Sequence, residues 1–242
     1  MTFSIVARCS RTSQLGVAVS TAVPAVGAMC PFVRAGVGAL STQSWVNPYL
    51  ALQALDMMAA GTPGPQALED VLMRDDARHL RQIGAVDASG RASAWSGEGC
   101  TGWFGHVVGD GFAVQGNMLA GEATVTAMVR AFRASERRDL AERLLLAIEA
   151  GQAAGGDKRG RQSASLKVHS TEDYPLVDLR VDEHARPVAE LRRIYTIAKL
   201  QLLPFVEGMP KKGGPSTPAP EAVVRLLALP PPQRPGGGGS AF

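Results

Sequence analysis

The sequence lacks a long apolar run, a strong charge of either sign and a cysteine framework. No stretch of about 18 apolar residues occurs, so we expect no membrane span. The net charge is only +3 with scattered Lys and Arg, which gives no reason to expect a nucleic-acid partner. Cys9, Cys30 and Cys100 are odd in number without a CxxC spacing, which argues against disulfides or a zinc knuckle. With no basic and apolar leader, these features predict a cytoplasmic protein.

The composition predicts one large domain and a tail. Apolar residues make up 45% of the 242 residues, which is enough for a sizeable core. After residue 207 the composition changes, and Pro, Gly and Lys dominate up to the terminal PPPQRPGGGGSAF. We therefore predict a domain over residues 1–207 and a flexible tail over 208–242, in which 221–229 has the pattern of a short helix.

The predicted strands occur in adjacent groups rather than alternating with helices. Strands are predicted at 2–8, 15–21, 35–43, 82–86, 91–95, 112–116, 163–169 and 176–181, and residues 100–111 as a glycine-rich loop. Helices are predicted from Pro48 to about Gly61, 65–75, 121–134, 136–150 and 187–202. This order favours an α+β fold with antiparallel sheets and outer helices, and its count fits a four-layer αββα sandwich.

Thr2 stands at the start of the first predicted strand, next to the initiator Met1. Removal of Met1, which a small second residue favours, leaves Thr2 with a hydroxyl and a free α-amine. A hydroxyl with an adjacent amine forms a nucleophile and base in one residue. The first strand is apolar enough that we expect it inside a sheet rather than at an edge.

The loop over residues 151–163, GQAAGGDKRGRQS, combines glycine with charge. Its glycine spacing is similar to that of a phosphate loop, but Asp157 stands where the lysine is required and the loop follows a helix. Two interpretations stay open, a structural turn or a site that presents Asp157, Lys158 or Arg159 to a cleft. We assign Asp157, Arg159 and Gln162 to substrate binding.

Two amides stand near predicted strand ends. Asn117 follows Gly116, where the backbone is able to approach a ligand, and it either donates its amide to a developing oxyanion or caps a turn. Gln43 ends the polar run Ser41, Thr42 and Gln43, and we assign it to substrate binding.

No metal site is predicted. The four histidines form no HxxH or HxH set, and Asp178, Asp182 and His184 are more typical of a solvated strand end than of metal ligands. Cys30 and Cys100 lack a neighbouring base, so buried inert thiols are favoured over nucleophiles.

Seven segments taken together resemble the DUF1028 family. They are TFSIVAR, LGVAVST, GVGALSTQ, RQIGAVDASGRASAWSG, QGNML, EAGQAAGGDKRGRQSA and DLRVDEHARPVAEL, and they extend over about residues 2–203. The resemblance implies an Ntn-hydrolase-like αββα sandwich in which the first strand begins with the nucleophile, and this position corresponds to Thr2. The family commonly has an Asp where this chain has Cys9, and the lysine of proteasome-type Ntn hydrolases has no counterpart here.

These observations predict an N-terminal-nucleophile amidohydrolase acting on a small amide, cyclic amide or ureide, without a metal or cofactor. Thr2 and Asn117 are the predicted catalytic residues. The alternative is a non-enzymatic ligand-binding or scaffold protein, because a fold does not fix a function. Ala- and Gly-rich strands with Met57 and Met58 suggest apolar surface beyond one core, so we expect a homo-oligomer.

Overall fold

The computed structural model describes residues 2–241. Within them the strands are β1 Thr2–Arg8, β2 Leu15–Thr21, β3 Pro31–Arg34, β4 Gly38–Ser44, β5 Arg81–Asp87, β6 Ala92–Ser96, β7 Trp103–Gly109, β8 Phe112–Leu119, β9 Ser163–His169 and β10 Val177–Val181. The helices are α1 Val26–Met29, α2 Pro48–Ala59, α3 Gly64–Met73, α4 Ala123–Ala134, α5 Leu140–Ala153, α6 Pro187–Gln201, α7 Leu203–Glu207 and α8 Glu221–Ala228. Short 3-10 turns occupy Arg78–Leu80 and Pro231–Gln233.

The strands form two antiparallel sheets, as predicted. The six-stranded sheet has the order β10-β9-β2-β1-β8-β7, and the four-stranded sheet has the order β3-β4-β5-β6. The hairpin of β1 and β2 is confirmed, and β1 lies inside its sheet with β2 on one side and β8 on the other. The start of β1 is therefore held by hydrogen-bonded neighbours on both sides.

The alternation along β1 separates two apolar layers. Phe3, Ile5 and Ala7 pack in a core with residues of α4, α5 and α6. Val6 points the other way and packs with Ala39 and other residues of both sheets. A third core lies between the four-stranded sheet and the helices α2 and α3. Residues with the same parity as Val6, including Thr2, therefore face the second sheet.

Helix α2 begins where the sequence predicts. The Asn47 side chain accepts a hydrogen bond from the Tyr49 backbone N–H at 3.1 Å, and Pro48 occupies the first helical position. Gly61 follows the end of the helix with a φ of 100°, a conformation that glycine adopts without strain.

The prediction of a loop over residues 100–111 was wrong. Residues Trp103–Gly109 form the edge strand β7, which pairs with β8. Gly105 and Gly109 interrupt the alternation of apolar and polar residues. An edge strand that is only half buried also shows this alternation weakly. The four-residue edge strand β3 was also missed, because it is short and begins with proline.

The segment after residue 207 contacts the domain. The Gln201 side-chain amide donates to the Pro235 and Gly237 carbonyls at 3.0 and 2.8 Å. Lys212 pairs with Asp173 at 2.9 Å on an exposed surface. Flexibility of this tail stays a prediction.

Within residues 2–241, none of the helices combines the length and apolar character that crossing a bilayer requires. Cys9, Cys30 and Cys100 are buried free thiols.

Gly84 on β5 gives the Gln115 side chain the space that it occupies between the sheets. A Cβ at Gly84 would lie 2.1 Å from Gln115 Oε1, so Gly84→Ala has to displace this buried amide. We expect the free energy of unfolding to fall by about 1–3 kcal/mol, measured by urea denaturation. Gly121→Ala, where an added Cβ meets nothing within 4 Å, is the matched control and should change it by less than about 0.5 kcal/mol. Equal effects of the two substitutions would contradict this account.

Candidate active site

Thr2 lies between two polar residues of the neighbouring strands. The register places Thr21 of β2 on one side and Asn117 of β8 on the other. The Thr2 hydroxyl oxygen is 3.1 Å from the Thr21 hydroxyl oxygen, and either group is able to donate. Thr2 is only 6% exposed, so its hydroxyl is held in a defined position at the end of the central strand.

Three buried amides link the two sheets beside Thr2. The Gln43 amide N–H groups donate to the Thr2 carbonyl at 3.1 Å and to Gln82 Oε1 at 2.8 Å. The Asn117 amide donates to the same Gln82 oxygen at 2.9 Å. The structure therefore brings together Thr2, Asn117 and Gln43, which were predicted from separate parts of the sequence.

The hydrogen-bond inventory distinguishes Gln43 from Asn117. A side-chain amide has two N–H donors, and both of those on Gln43 are used, one by the Thr2 carbonyl and one by Gln82. Asn117 uses one N–H for Gln82, and no second acceptor for its amide lies among residues 2–241. Asn117 therefore retains a donor for another group, whereas Gln43 does not.

Gln82 is the residue that the sequence analysis missed. Its Oε1 accepts from Gln43 and Asn117, while its amide nitrogen lies 2.8 Å from both the Gly116 carbonyl and the Ser96 hydroxyl. Gln82 is fully buried although it begins a predicted strand, where a polar residue usually marks the exposed end. Its parity with Val86 was the available signal, since both residues face the other sheet.

A second group of hydrogen bonds extends this network along β1. The Ser4 hydroxyl donates to Gln43 Oε1 at 2.7 Å and accepts from the Gln115 amide at 2.6 Å. Ser4, Gln43 and Gln115 are all fully buried. The network next to Thr2 is thus made of neutral hydroxyl and amide groups.

Asp157 is buried beside the end of β2, with 4% of its surface exposed. Its carboxylate accepts hydrogen bonds from the Ala22 backbone N–H at 3.1 Å and the Arg159 backbone N–H at 2.8 Å. The Arg159 guanidinium also lies 3.3 Å from it. Because Ala22 directly follows Thr21, Asp157 fixes the end of the strand that carries the partner of Thr2.

Gln162 contributes through its backbone. Its N–H donates to the Thr21 carbonyl at 2.8 Å, and its carbonyl accepts from the His184 N–H at 2.9 Å. The structure therefore places Asp157, Arg159 and Gln162 at the same end of the sheet as Thr2.

The other candidate nucleophiles and bases are less suited to chemistry. Burial raises the pKa of the Cys30 thiol to about 12, and burial also raises the pKa of Cys100, whose thiol lies 3.5 Å from the Ser44 hydroxyl. Burial lowers the pKa of His106, whose Nδ1 lies 2.9 Å from the Ser96 hydroxyl. Both thiols are therefore mainly protonated at neutral pH.

Asp178, Asp182 and His184 do not form a group arranged to hold a metal ion. Asp178 pairs with Lys167 at 3.2 Å. In the part of the chain that the structure describes, no group of three or more His, Cys, Asp or Glu side chains is arranged to hold a metal ion.

Comparisons with known proteins identify a family to which this chain is similar and a structure with a similar fold. The model of a family described as a family of unknown function, DUF1028, matches residues 2–191. The crystal structure of protein SPO2555 from Silicibacter pomeroyi, described with the same family, is 29% identical with a TM-score of 0.80, and the match covers 87% of this chain and 92% of that chain. No curated protein matches the sequence.

Two further structures are less similar. Anbu (ancestral beta-subunit) from Yersinia bercovieri is 10% identical with a TM-score of 0.38, covering 89% of this chain and all, 100%, of that chain. An Anbu (Gly-1) mutant from Hyphomicrobium sp. strain MC1 is 12% identical with a TM-score of 0.40, covering 84% and 96%. At these TM-scores neither structure carries an argument about fold or function.

Asp157→Asn should loosen the end of β2. The Asp157 carboxylate accepts hydrogen bonds from two backbone N–H groups. With an amide in its place, an NH2 group would face one of these N–H groups, and that hydrogen bond would be lost. We expect a loss of about 1–3 kcal/mol in the free energy of unfolding and faster hydrogen exchange at the Ala22 amide. Asp110→Asn, in the exposed turn between β7 and β8, is the control with the same change of charge. Unchanged exchange at Ala22 would show that the carboxylate does not hold this strand end.

Proposed function

The chain belongs to the DUF1028 family, a family of unknown function, and we propose that it is an N-terminal-nucleophile amidohydrolase that cleaves a small amide, cyclic amide or ureide. The observation that carries this proposal is the position of Thr2, at the start of a central strand and between Thr21 and Asn117.

The proposed fold is the four-layer αββα sandwich of Ntn hydrolases. Three observations support it: a core between the six-stranded sheet and α4, α5 and α6, a core between the sheets, and a core under α2 and α3. In such an arrangement the Thr2 side chain faces the space between the sheets, next to the amides of the opposite sheet.

The α-amine of Thr2 is the proposed base. With Met1 attached, this nitrogen is part of a peptide bond and has no basic lone pair. After Met1 is removed, an α-amine titrates near pH 8, which suits a general base at neutral pH. Among residues 2–241, the side chains that form hydrogen bonds with Thr2 and its neighbour Gln43 are neutral hydroxyls and amides, so the proposed mechanism takes its base from Thr2 itself.

The proposed reaction proceeds in two steps. Thr2 Oγ attacks the substrate carbonyl while the α-amine accepts the hydroxyl proton. The amine then gives the proton to the leaving nitrogen, the C–N bond breaks, and an ester to Thr2 remains. Water attacks this ester with the same amine as base, which releases the acid and restores the Thr2 hydroxyl. The amine performs the activation, so this mechanism uses no cofactor.

Asn117 is the proposed donor to the oxyanion, because one of its amide N–H groups has no acceptor among the described residues. A donor of this kind contributes roughly 3 kcal/mol of transition-state stabilisation when it is correctly placed. Gln82 holds the Asn117 amide in position from the opposite sheet. Both N–H donors of the Gln43 amide are used, and Gln43 affects the substrate indirectly, by holding the Thr2 carbonyl. Arg159 and Gln162, in the loop at the same end of the sheet, are the proposed residues that orient the substrate. Asp157 contributes by holding this loop against the Ala22 N–H at the end of β2.

The rival proposal is a non-enzymatic ligand-binding or scaffold protein. The low exposure of Thr2, 6%, is the observation that favours it, since a nucleophile needs access to its substrate. The two proposals differ in whether Thr2 has a free amine and a reactive hydroxyl.

Covalent labelling of Thr2 tests the catalytic proposal. Intact mass first establishes loss of Met1, and the protein is then treated with a β-lactone, which acylates N-terminal nucleophiles, and screened with amide and ureide substrates. We expect one acyl group on Thr2, abolition of labelling and activity in Thr2→Ala, and retention of part of both in Thr2→Ser. Thr12→Ala, which changes an exposed turn, is the matched control. Full labelling and activity in Thr2→Ala would show that Thr2 is not the nucleophile. A retained Met1, or the absence of both labelling and activity in the parent protein, would favour the rival proposal.

We also propose that the protein is a homo-oligomer. Large apolar side chains are exposed around the start of α2, with Trp45 70% and Tyr49 69% exposed. Leu52 lies one turn after Tyr49 on the same helix face and is also exposed. Such exposed apolar clusters mark association surfaces in soluble proteins.

Light scattering after size exclusion at micromolar concentration measures this association. We expect a mass of at least twice the 25.4 kDa of one chain. Trp45→Ser together with Tyr49→Ser should lower the mass, whereas Val224→Ser with Leu227→Ser on α8 should not. A single-chain mass for the parent protein would refute the proposal.

A further inference from the structure

We infer that the Thr2 site selects a substrate with a carboxylate, which the Lys158 ammonium binds. This inference rests on the proposed function and adds the substrate class to it. The argument concerns the loop over residues 155–162, called here the glycine–cation loop, which carries Lys158, Arg159 and Arg161.

The glycine–cation loop crosses the end of β1 where Thr2 lies. On one side, the Asp157 carboxylate accepts from the Ala22 N–H and the Gln162 N–H donates to the Thr21 carbonyl. On the other side, Asp157 forms a β-bridge with Leu119, which ends β8. Since β1 lies between β2 and β8, a loop attached to the ends of both neighbours passes over its first residue.

Glycines allow the loop to lie close to β1. Gly155 and Gly156 adopt φ angles of 120° and 57°, which residues with a side chain rarely adopt. A Cβ on Gly156 would also lie 3.3 Å from the Phe3 ring, next to Thr2 in the chain. The loop is therefore in contact with the strand that carries the proposed nucleophile.

The carboxylate of Asp157, the acidic residue of this loop, already has partners within the protein. The Asp157 carboxylate is buried, accepts two backbone N–H groups and pairs with Arg159. The carboxylate therefore has few free lone pairs with which to bind a cationic substrate. If a charged group of this loop contacts the substrate, it has to be one of the loop's cations.

Lys158 differs from the other two cations of this loop, which have partners. Arg159 pairs with Asp157, and Arg161 donates to the Ala185 carbonyl at 3.1 Å. The Lys158 Nζ would lie 3.2 Å from a Cβ placed on Gly102, so the ammonium rests against the backbone beside Met118, the residue after Asn117. Among residues 2–241, this ammonium makes neither a hydrogen bond nor an ion pair. Lys158 thus places a positive charge without an ion pair beside Met118, the residue that follows the proposed oxyanion donor, at the end of β8 that pairs with the start of β1.

The chemistry of Lys158 favours an anionic group on the substrate. An ammonium is a compact point charge with three donors and no planar fork, which suits a single carboxylate oxygen. The cavity of about 620 Å³ between β3 and the β9–β10 edge provides a contrast, since its lysine, Lys167, is already paired with Asp178 at 3.2 Å. That cavity therefore offers no comparable unpaired ammonium.

Binding of small amides to the full chain, followed by ¹⁵N NMR, tests this inference without requiring turnover. The probes are N-acetylglycine, which carries a carboxylate, N-acetylglycinamide, which is its neutral counterpart, and inorganic phosphate. We expect N-acetylglycine to shift the amide signals of Lys158, Gly102 and Met118 at millimolar concentration, and the neutral probe to bind more weakly. Added salt should weaken the binding of N-acetylglycine, because the charge pair is exposed.

Lys158→Met should raise the dissociation constant of N-acetylglycine by roughly 2- to 5-fold, the range measured for exposed charge pairs, and leave that of N-acetylglycinamide unchanged. Lys199→Met, on α6 and close to Glu142, removes the same charge elsewhere and is the matched control. Equal affinity for the charged and neutral probes, no binding of N-acetylglycine, or an equal loss in Lys199→Met would overturn the inference. Tighter binding of phosphate at the same amides would overturn the assignment to a carboxylate.

Labelling of Thr2 with the β-lactone separates this inference from the proposed function. If Thr2 is not acylated by a β-lactone, the nucleophile proposal fails, while the binding measurement still decides the role of Lys158. If Thr2 is acylated but Lys158→Met binds N-acetylglycine as tightly as the parent protein, only the carboxylate inference fails.

Discussion

The buried amide of Gln82 connects the two sheets at the point where β1 begins. Its oxygen accepts from Gln43 in its own sheet and from Asn117 in the other, and its nitrogen reaches the Gly116 carbonyl. A buried amide without partners costs free energy comparable to several lost hydrogen bonds, so this arrangement is stable only when the sheets meet in one register. The same register places Thr2 beside Asn117 and Thr21. The geometry of the site thus follows from the need to satisfy polar groups between the sheets.

The neutrality of this network determines how the site is able to work. Hydroxyls and amides align a nucleophile, but none of them accepts a proton at neutral pH. The carboxylate of Asp157, at the same end of the sheet, is committed to the Ala22 N–H and to Arg159. A base within the reacting residue means that this buried layer needs no additional titratable side chain, whose burial would require compensation. The network and the proposed α-amine base are therefore consistent with one another.

The sequence predicted those parts of the fold that local patterns determine. The hairpin of β1 and β2 follows from alternating apolar residues, and the start of α2 follows from Asn47 and Pro48. The edge strand β7 was missed because its glycines and half-exposed positions remove the alternation. Thr2, Asn117 and Asp157 were identified one by one, yet their convergence depends on the order of strands in the sheet. Gln82 was not identified, because its role depends on partners from strands distant in sequence.

Cys9, where the resemblance led us to expect an Asp, lies at the opposite end of β1 from Thr2. Six residues lie between the two, so that seven steps of extended chain separate them by about 23 Å. The Cys9 backbone instead closes the hairpin turn, donating to the Gln14 carbonyl and accepting from the Ser13 N–H. Burial raises the pKa of its thiol, but hydrogen bonds involving Thr12 and Arg11 outweigh this and leave the pKa below its usual value. A change at this position therefore acts on the turn, and the groups around Thr2 keep their contacts.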